Sequence, residues 1–318
     1  MVGVAQEQSV RLWSGRSRGQ NPSSTHMNKQ SKENLILAVQ KEGRLTEETL
    51  SFLWKAGLKF ENYKNKLFIT CRNFPLTILF VRINDIPDYI TSQTADLGIT
   101  GQNLLCEKRP IVSKLLNLRY GFCSLVIAVP KDSQIKKLQD LKNKKIATSY
   151  PESLINFLSK KRIKADIKII NGSVEIAPSI GLSDAVADLV SSGSTLASHD
   201  LKVLTKIYDS ESVLISGKNI SKRKMKSLLL KQLLGRFKSV LSAENYKCIY
   251  LELPENRYRK LKKIIPGIKI ESAVSIGKNR LFISAVIKED FIWNSLDKLK
   301  AIGSGSIYLQ PLEKIINI

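Results

Sequence analysis

From Asn34 onward, short apolar runs alternate with longer mixed segments, and that rhythm restricts the fold more than anything else in the chain. "LILAV" (35–39), "LTILFVR" (76–82) and "DLGIT" (96–100) read as strands, apolar enough to be buried on both faces. Between them, "TEETLSFLWKAG" (46–57) reads as a helix with Thr46 as its N-cap, acids in its first turn and Gly57 at its end. A second helix is expected after Asp85, from "DIPDYITSQ" (85–93). This β-α-β order predicts a largely parallel sheet with helices on both faces. "FCSLVIAVP" (122–130), "KKIATS" (144–149) and "DIKIING" (166–172) suggest a second sheet, and "KVLTKIY" with "SVLISG" (202–217) a return to the first.

The segment from Asp184 to Leu196 carries the strongest chemical signal. Apolar Ala185, Val186, Leu189 and Val190 deliver a carboxylate, Asp188, into a run of Ser191, Ser192, Gly193, Ser194 and Thr195. Such a loop has little side-chain bulk, so its backbone N–H groups can converge on an anion, and its hydroxyls add donors that suit phosphate. Asp188 is placed to hold ribose hydroxyls or a hydrated Mg²⁺. The plainer reading is a Ser/Gly-rich surface turn without a ligand.

Charge, cysteine and histidine content narrow the function. Lys and Arg number 51 against 28 Asp and Glu, a formal +23. That excess suits nucleic acid, an anionic membrane or polyanionic small substrates. It thickens in "SKRKMK" (221–226) and "RYRKLKK" (257–263), which read as polar faces of amphipathic helices. No nucleic-acid motif accompanies it, so nucleic-acid binding is not expected, and no apolar run approaches the ~20 residues of a membrane helix. Cys71, Cys106, Cys123 and Cys248 are too scattered for a zinc site or a disulfide framework and suit a reducing compartment. With only His26 and His199 available, Ser-His or Cys-His catalysis is not expected. Residues 1–32 are Arg- and Ser-rich and lack an apolar secretion core; they read as a disordered extension upstream of a start at Met27, or alternatively as an organelle transit peptide.

Beyond about residue 243 the pattern changes. "KCIYLELP", a helix from Asn256, "IKIESAV", "RLFISAVI", a helix from Asp290 and "GSIYLQPLEKI" follow a β-α-β-β-α-β order, the ferredoxin-like arrangement.

Six segments, in order, resemble the ATP phosphoribosyltransferases that open histidine biosynthesis. They are "LAVQKEGRL" (37–45), "NFPLTILFVRINDIPDYI" (73–90), "ADLGITGQNLL" (95–105), "KKIATSYP" (144–151), the loop segment 171–196 and Ile265-Pro266-Gly267-Ile268-Lys269. The resemblance runs from about residue 35 to the C-terminus. It implies two α/β domains of the type II periplasmic-binding-protein kind forming a cleft, followed by a ferredoxin-like regulatory domain. The corresponding division is 33–114 with 198–243, then 115–197, then 244–318. The implied reaction transfers the phosphoribosyl group of 5-phosphoribosyl diphosphate to N1 of ATP, releases pyrophosphate and uses Mg²⁺. A cytoplasmic homo-oligomer, dimer or hexamer, inhibited by histidine is implied as well.

Carried onto this chain, the resemblance gives Asp188, Glu175 and Asp184 catalytic roles. Residues Asp188 and Ser191 through Thr195 would hold phosphoribosyl diphosphate. Lys41, Gly43, Arg44, Arg82, Asp85, Asp96 and Tyr150 would meet ATP, with Arg82 and Asp85 either pairing with each other or touching the nucleotide. Ser272, Ala273 and Ser284 occupy the regulatory positions. The chain departs from the family pattern where Ser124 replaces an Arg after Cys123, where only Asp85 remains of an acidic cluster, at Gln102, at Ser272-Ala273, and at Ser284 in place of a His. The competing reading is a non-enzymatic cytosolic sensor of small anions or nucleotides on the same cleft.

Overall fold

The structure, a computed structural model, describes residues 34–61, 66–191, 194–220, 223–277 and 279–316, without the side chains of Ser194 and Thr195. The 1–32 extension and Met27 lie outside the described residues. The chain begins with β1 (Leu35–Gln40), α1 (Arg44–Lys55), β2 (Phe68–Thr70), β3 (Leu76–Val81), α2 (Ile86–Thr91), β4 (Leu97–Gly101), α3 (Gln102–Lys108) and β5 (Ser113–Asn117). It then crosses into β6 (Cys123–Pro130), β7 (Lys145–Thr148), α4 (Pro151–Lys160), β8 (Asp166–Ile169), β9 (Ala185–Val190), α5 (Ser194–Ser198) and β10 (Leu201–Ser210). It crosses back into β11 (Ser212–Ser216) and the long α6 (Lys224–Ala243).

The first sheet has the order β2-β3-β1-β4-β11-β5 and the second β10-β6-β9-β7-β8. The two share one plan. β1 runs parallel to β3 and β4, and β11 and β5 extend that sheet antiparallel. Likewise β7 runs parallel to β8 and β9, and β6 and β10 extend the second sheet antiparallel. In each sheet, a strand that has crossed from the other domain's chain segment lies beside the parallel core. This is the type II arrangement of two α/β domains. Central strands are apolar because helices cover both faces: Leu35, Leu37, Ala38 and Val39 of β1 are fully buried, as are Ile127, Ala128 and Val129 of β6.

Two expectations change here. Residues 202–208 do not return to the first sheet, because β10 pairs along its length with β6 and closes the edge of the second. Its mixed exposure and two register shifts mark an edge strand, whereas the five residues of β11 are all buried and occupy the interior of the first sheet. The crossings therefore fall at residues 118–122 and 210–212 rather than at 115 and 198. α1 begins at Arg44 rather than at Thr46, whose hydroxyl instead donates to the Gln40 carbonyl at 3.2 Å. Gly57, with φ +75°, lies just past its end, where only glycine adopts that turn freely.

The last unit comprises β12 (Tyr246–Pro254), α7 (Tyr258–Ile264), β13 (Lys269–Ser275), β14 (Arg280–Lys288), α8 (Glu289–Trp293), α9 (Leu296–Ala301) and β15 (Ile307–Pro311). Its sheet, β13-β14-β12-β15, is antiparallel throughout, as a ferredoxin-like domain requires. Alternate residues Ile249, Leu251, Leu253, Ile283, Ala285 and Ile287 pack under the helices on Leu261, Ile265, Ile292 and Leu299. After β15 the tail returns to the first domain, where the Ile315 N–H donates to the Ser239 carbonyl on α6 at 3.0 Å.

Candidate functional site

The carboxyl ends of β1, β3 and β4 face the corresponding ends of β7, β8 and β9 across a cleft, the usual ligand position in open α/β sheets. On the first wall, the turn after β1 depends on Gly43, whose φ of +126° excludes most residues and where a Cβ would collide with the Gln40 side-chain amide. That turn points Arg44 across the cleft. Its guanidinium donates to Ser191 Oγ at 2.5 Å and to the Phe122 carbonyl at 3.1 Å, so the candidate nucleotide wall and the candidate phosphate loop meet. Lys41 is exposed and pairs with Glu42 at 3.6 Å. Arg82 and Asp85 flank the turn after β3, and among the described residues no ion pair joins them.

On the second wall, Thr148 does work that its residue type does not announce. Its hydroxyl donates to the Ala187 carbonyl at 2.7 Å and accepts from the Tyr150 N–H at 2.9 Å. The end of β7 is thereby fixed to β9, and Tyr150 is placed next to Asp188. The Tyr150 phenol lies beside the Asn103 side chain of the opposite domain. Burial, then the neighbouring Asp188 charge, push its titration well above the ordinary range.

Asp188 is the unusual group. It is largely buried, and burial raises its pKa, a Leu189 N–H at 2.8 Å on Oδ1 opposes the rise, and the Glu175 charge adds to it. Among the described residues no ion pair joins it to a Lys or Arg, and the charge that bears on it is that of Glu175. Glu175 sits on a single helical turn, Val174–Ile176. In a chain with a formal charge of +23, these two neighbouring carboxylates form no ion pair with a Lys or Arg among the described residues.

Two of the expected residues are elsewhere. Asp184 precedes β9, whose six residues put it about 20 Å from Ser191, at the end of the strand remote from the cleft. There its Oδ2 accepts the Lys145 N–H at 2.8 Å, a structural clamp on β7. Asp96 precedes β4, at the amino end of that interior strand and so on the side of the first sheet away from the cleft. It is 7% exposed, accepts the Ile36 N–H at 2.9 Å and pairs with Lys226 at 2.6 Å and Arg223 at 3.4 Å, bracing α6 rather than meeting ATP. The loop is described in part: Ser191 is exposed at its start and α5 begins at Ser194, while Ser192, Gly193 and the side chains of Ser194 and Thr195 lie outside the described residues.

Ser124 donates to Asp209 Oδ1 at 2.6 Å, and Lys206 holds Asp209 Oδ2 at 2.8 Å. In the last domain Ser272 and Ser284 are register partners on β13 and β14, and Ala273 lies opposite Ile283. Among the described residues no group of three or more His, Cys, Asp or Glu is placed to hold a metal ion.

Fold and cleft define a two-domain protein of the periplasmic-binding-protein type, extended by a ferredoxin-like domain. The family model for ATP phosphoribosyltransferase (HisG) matches residues 82–239, and the model for the HisG C-terminal domain matches residues 243–314. ATP phosphoribosyltransferase of Parabacteroides distasonis is 38% identical over 283 residues, 89% of this chain and 99% of that protein. The Methanosarcina barkeri enzyme is 34% identical over 288 residues, 88% of this chain and 99% of that protein. Among solved structures, the ATP phosphoribosyl transferase (HisG:HisZ) complex from Thermotoga maritima aligns with a TM-score of 0.54 at 27% identity, covering 64% of this chain and 98% of that one. The chain belongs to the ATP phosphoribosyltransferase family, the pentosyltransferases of histidine biosynthesis.

The state of Asp188 leads to a prediction. Its folded-state pKa lies above the unfolded value, so the native protein binds that proton more tightly than the unfolded chain. Stability therefore falls as pH rises from the ordinary carboxylate range through the raised value, and the ionised group costs the ligand-free protein stability above it. Asp188→Asn should melt at a higher temperature than the wild type at neutral pH, with the gap closing below the ordinary carboxylate range. If Asp188 meets charge that develops in the transition state, the variant's turnover should also fall about tenfold or more. A variant that melts lower at neutral pH would mean the carboxylate has a stabilising partner.

Proposed function

We propose that this cleft carries out the family's reaction with the following division of labour. Ser191 and the loop through Thr195 hold the 5-phosphate of phosphoribosyl diphosphate through hydroxyls and backbone amides. Arg44, Lys41 and Arg82 offer positive charge to the triphosphate of ATP, and the Gly43 turn gives it close access to the backbone. Tyr150, held between Thr148 and Asn103, lines the purine side. Asp85 faces the same wall from its single helical turn.

The observation that carries the reading is the close pair Asp188 and Glu175, which among the described residues has no ion pair to a Lys or Arg, at the start of a hydroxyl-rich loop. Breaking the bond from the ribose to pyrophosphate develops positive charge on the sugar, and a carboxylate in a poorly solvated site stabilises such charge more strongly than it would in water. N1 of ATP attacks as pyrophosphate leaves. Holding both reactants in line supplies much of the barrier reduction, so no covalent residue is needed.

The family uses metal ions, and the donor set fits Mg²⁺ of one kind. Mg²⁺ commonly takes one or two carboxylates together with substrate phosphates rather than a protein cage. Asp188 and Glu175 would hold it with the diphosphate oxygens, where it would neutralise charge on the leaving group. Among the described residues no helix is long and apolar enough to cross a membrane, which accords with the cytoplasmic placement we propose.

We further propose that the ferredoxin-like domain senses histidine near Ser272, Ala273 and Ser284, with Ser272 and Ser284 on the sheet face away from the helices, and that the chain assembles into an even-numbered homo-oligomer, a dimer or hexamer.

The purified chain should release pyrophosphate only when ATP, 5-phosphoribosyl diphosphate and Mg²⁺ are all present, measured in a coupled pyrophosphate assay. Nucleotide binding without any pyrophosphate release would favour the sensor reading. Adding histidine to the same assay should lower turnover; identical rates with and without it would remove the regulatory assignment while leaving the catalytic one.

A further inference from the structure

The helix α4 has no capping side chain of its own. Tyr150 precedes it with φ −127°, its side chain turned to other partners, and Pro151 occupies the first turn. The free amides of Glu152 and Ser153 are instead taken by Glu107 on α3, in the other domain: Glu152 N–H to Oε1 at 2.8 Å and Ser153 N–H to Oε2 at 2.9 Å. A carboxylate receiving two amides at the positive end of a helix makes charge-assisted bonds.

Four residues earlier on the same helix, and hence on the same face, Asn103 makes the other cross-domain bonds. Its N–H donates to Ser210 Oγ at 2.9 Å, its Oδ1 accepts from the same hydroxyl at 3.2 Å, and its side chain lies beside Tyr150. Ser153 is itself anchored, its hydroxyl pairing with the Tyr208 phenol on β10 at 3.0 Å. The face of α3 that carries Asn103 and Glu107 therefore grips the second domain at the base of α4 and beside the hinge, while Arg44 spans the cleft to Ser191.

We propose that Glu107 is a latch: a positioning residue that holds the two domains closed before substrate arrives and so sets the apparent affinity for both substrates. The kinetic part of this rests on the transferase reading of the cleft; the latch itself does not. Without it, each binding event must also close the domains, and apparent affinity falls by the fraction of molecules still closed.

The test compares wild type, Glu107→Ala and Glu107→Gln in the full chain. In Glu107→Ala, KM for ATP and for 5-phosphoribosyl diphosphate should rise together by about tenfold, with kcat within about twofold, because saturating substrate restores closure. Glu107→Gln keeps one acceptor oxygen and should fall between. A lower kcat at unchanged KM means loss of active protein rather than of a latch, and no change in either constant is equally fatal to the proposal. Amide hydrogen exchange on the ligand-free proteins decides independently of turnover. Exchange should accelerate in Glu107→Ala both in the first turn of α4 and in the peptides carrying Arg44 and Ser191; acceleration confined to α4 would reduce Glu107 to a local cap. Should the wild type itself show no turnover, the reaction assignment fails while the exchange comparison still judges the latch.

Discussion

Glu211 holds together the two strands of chain that pass between the domains. Its carboxylate accepts from Asn117 Nδ2 at 2.5 Å and from the Arg119 N–H at 3.0 Å, so the second crossing is tied to the first. Backbone bonds reinforce the tie: Leu118 N–H to the Ser212 carbonyl and Ser212 N–H to the Tyr120 carbonyl, each 2.9 Å. Arg119 continues outward to the Leu241 carbonyl at 3.1 Å and Glu244 at 3.4 Å, where α6 ends and the last domain begins. With the crossings fixed side by side, the carboxyl ends of two parallel sheets are bound to confront each other. Everything in the cleft follows from that confrontation, including the reach of Arg44 to Ser191.

The distribution of charge matters more than its total. Part of the basic excess is spent on structure: Lys226 and Arg223 neutralise Asp96 at the amino end of β4, remote from the cleft, and Arg119 serves the hinge. On the second wall of the cleft, facing the wall that carries Lys41, Arg44 and Arg82, Asp188 and Glu175 lie close together, and among the described residues no ion pair joins either to a Lys or Arg. Like charges in a poorly solvated place raise the energy of the empty site. A substrate that arrives with a divalent ion, or that develops positive charge as it reacts, relieves that energy. In the reading proposed above, the ligand-free protein would give up some stability so that the transition state is met by charge already in position.

Much of the fold was legible because its signals are local. The apolar runs of β1, β3 and β4 and the turn glycine at Gly57 each carry their structure in a few residues. The order of elements in the last domain was readable for the same reason. Which sheet a strand joins is not local: residues 202–208 look as apolar as a returning strand, and only their pairing with β6 shows where they belong. The site divides in the same way. Asp188, Gly43, Arg44 and Tyr150 lie at strand ends, where an ordered reading of the chain already places ligands. Asp96 and Asp184 are polar residues beside the right strands but at the wrong ends of them, a distinction of about 20 Å for Asp184 that composition does not encode. Thr148, Glu107 and Glu211 were missed because each acts through a partner distant in the chain. Glu107 alone had a readable hint, its four-residue spacing from Asn103 on one helix.

In the proposed reading, Asp188 and Glu175, which form no ion pair with a Lys or Arg among the described residues, receive a substrate that carries its own cation. Calorimetric titration of the wild-type chain with 5-phosphoribosyl diphosphate, in Mg²⁺ and again in excess chelator, tests it most directly. Binding should be at least about tenfold weaker without the metal, since the diphosphate would then meet two uncompensated carboxylates. Equal affinity in the two buffers would contradict the account, because the pair would then have no cation to receive.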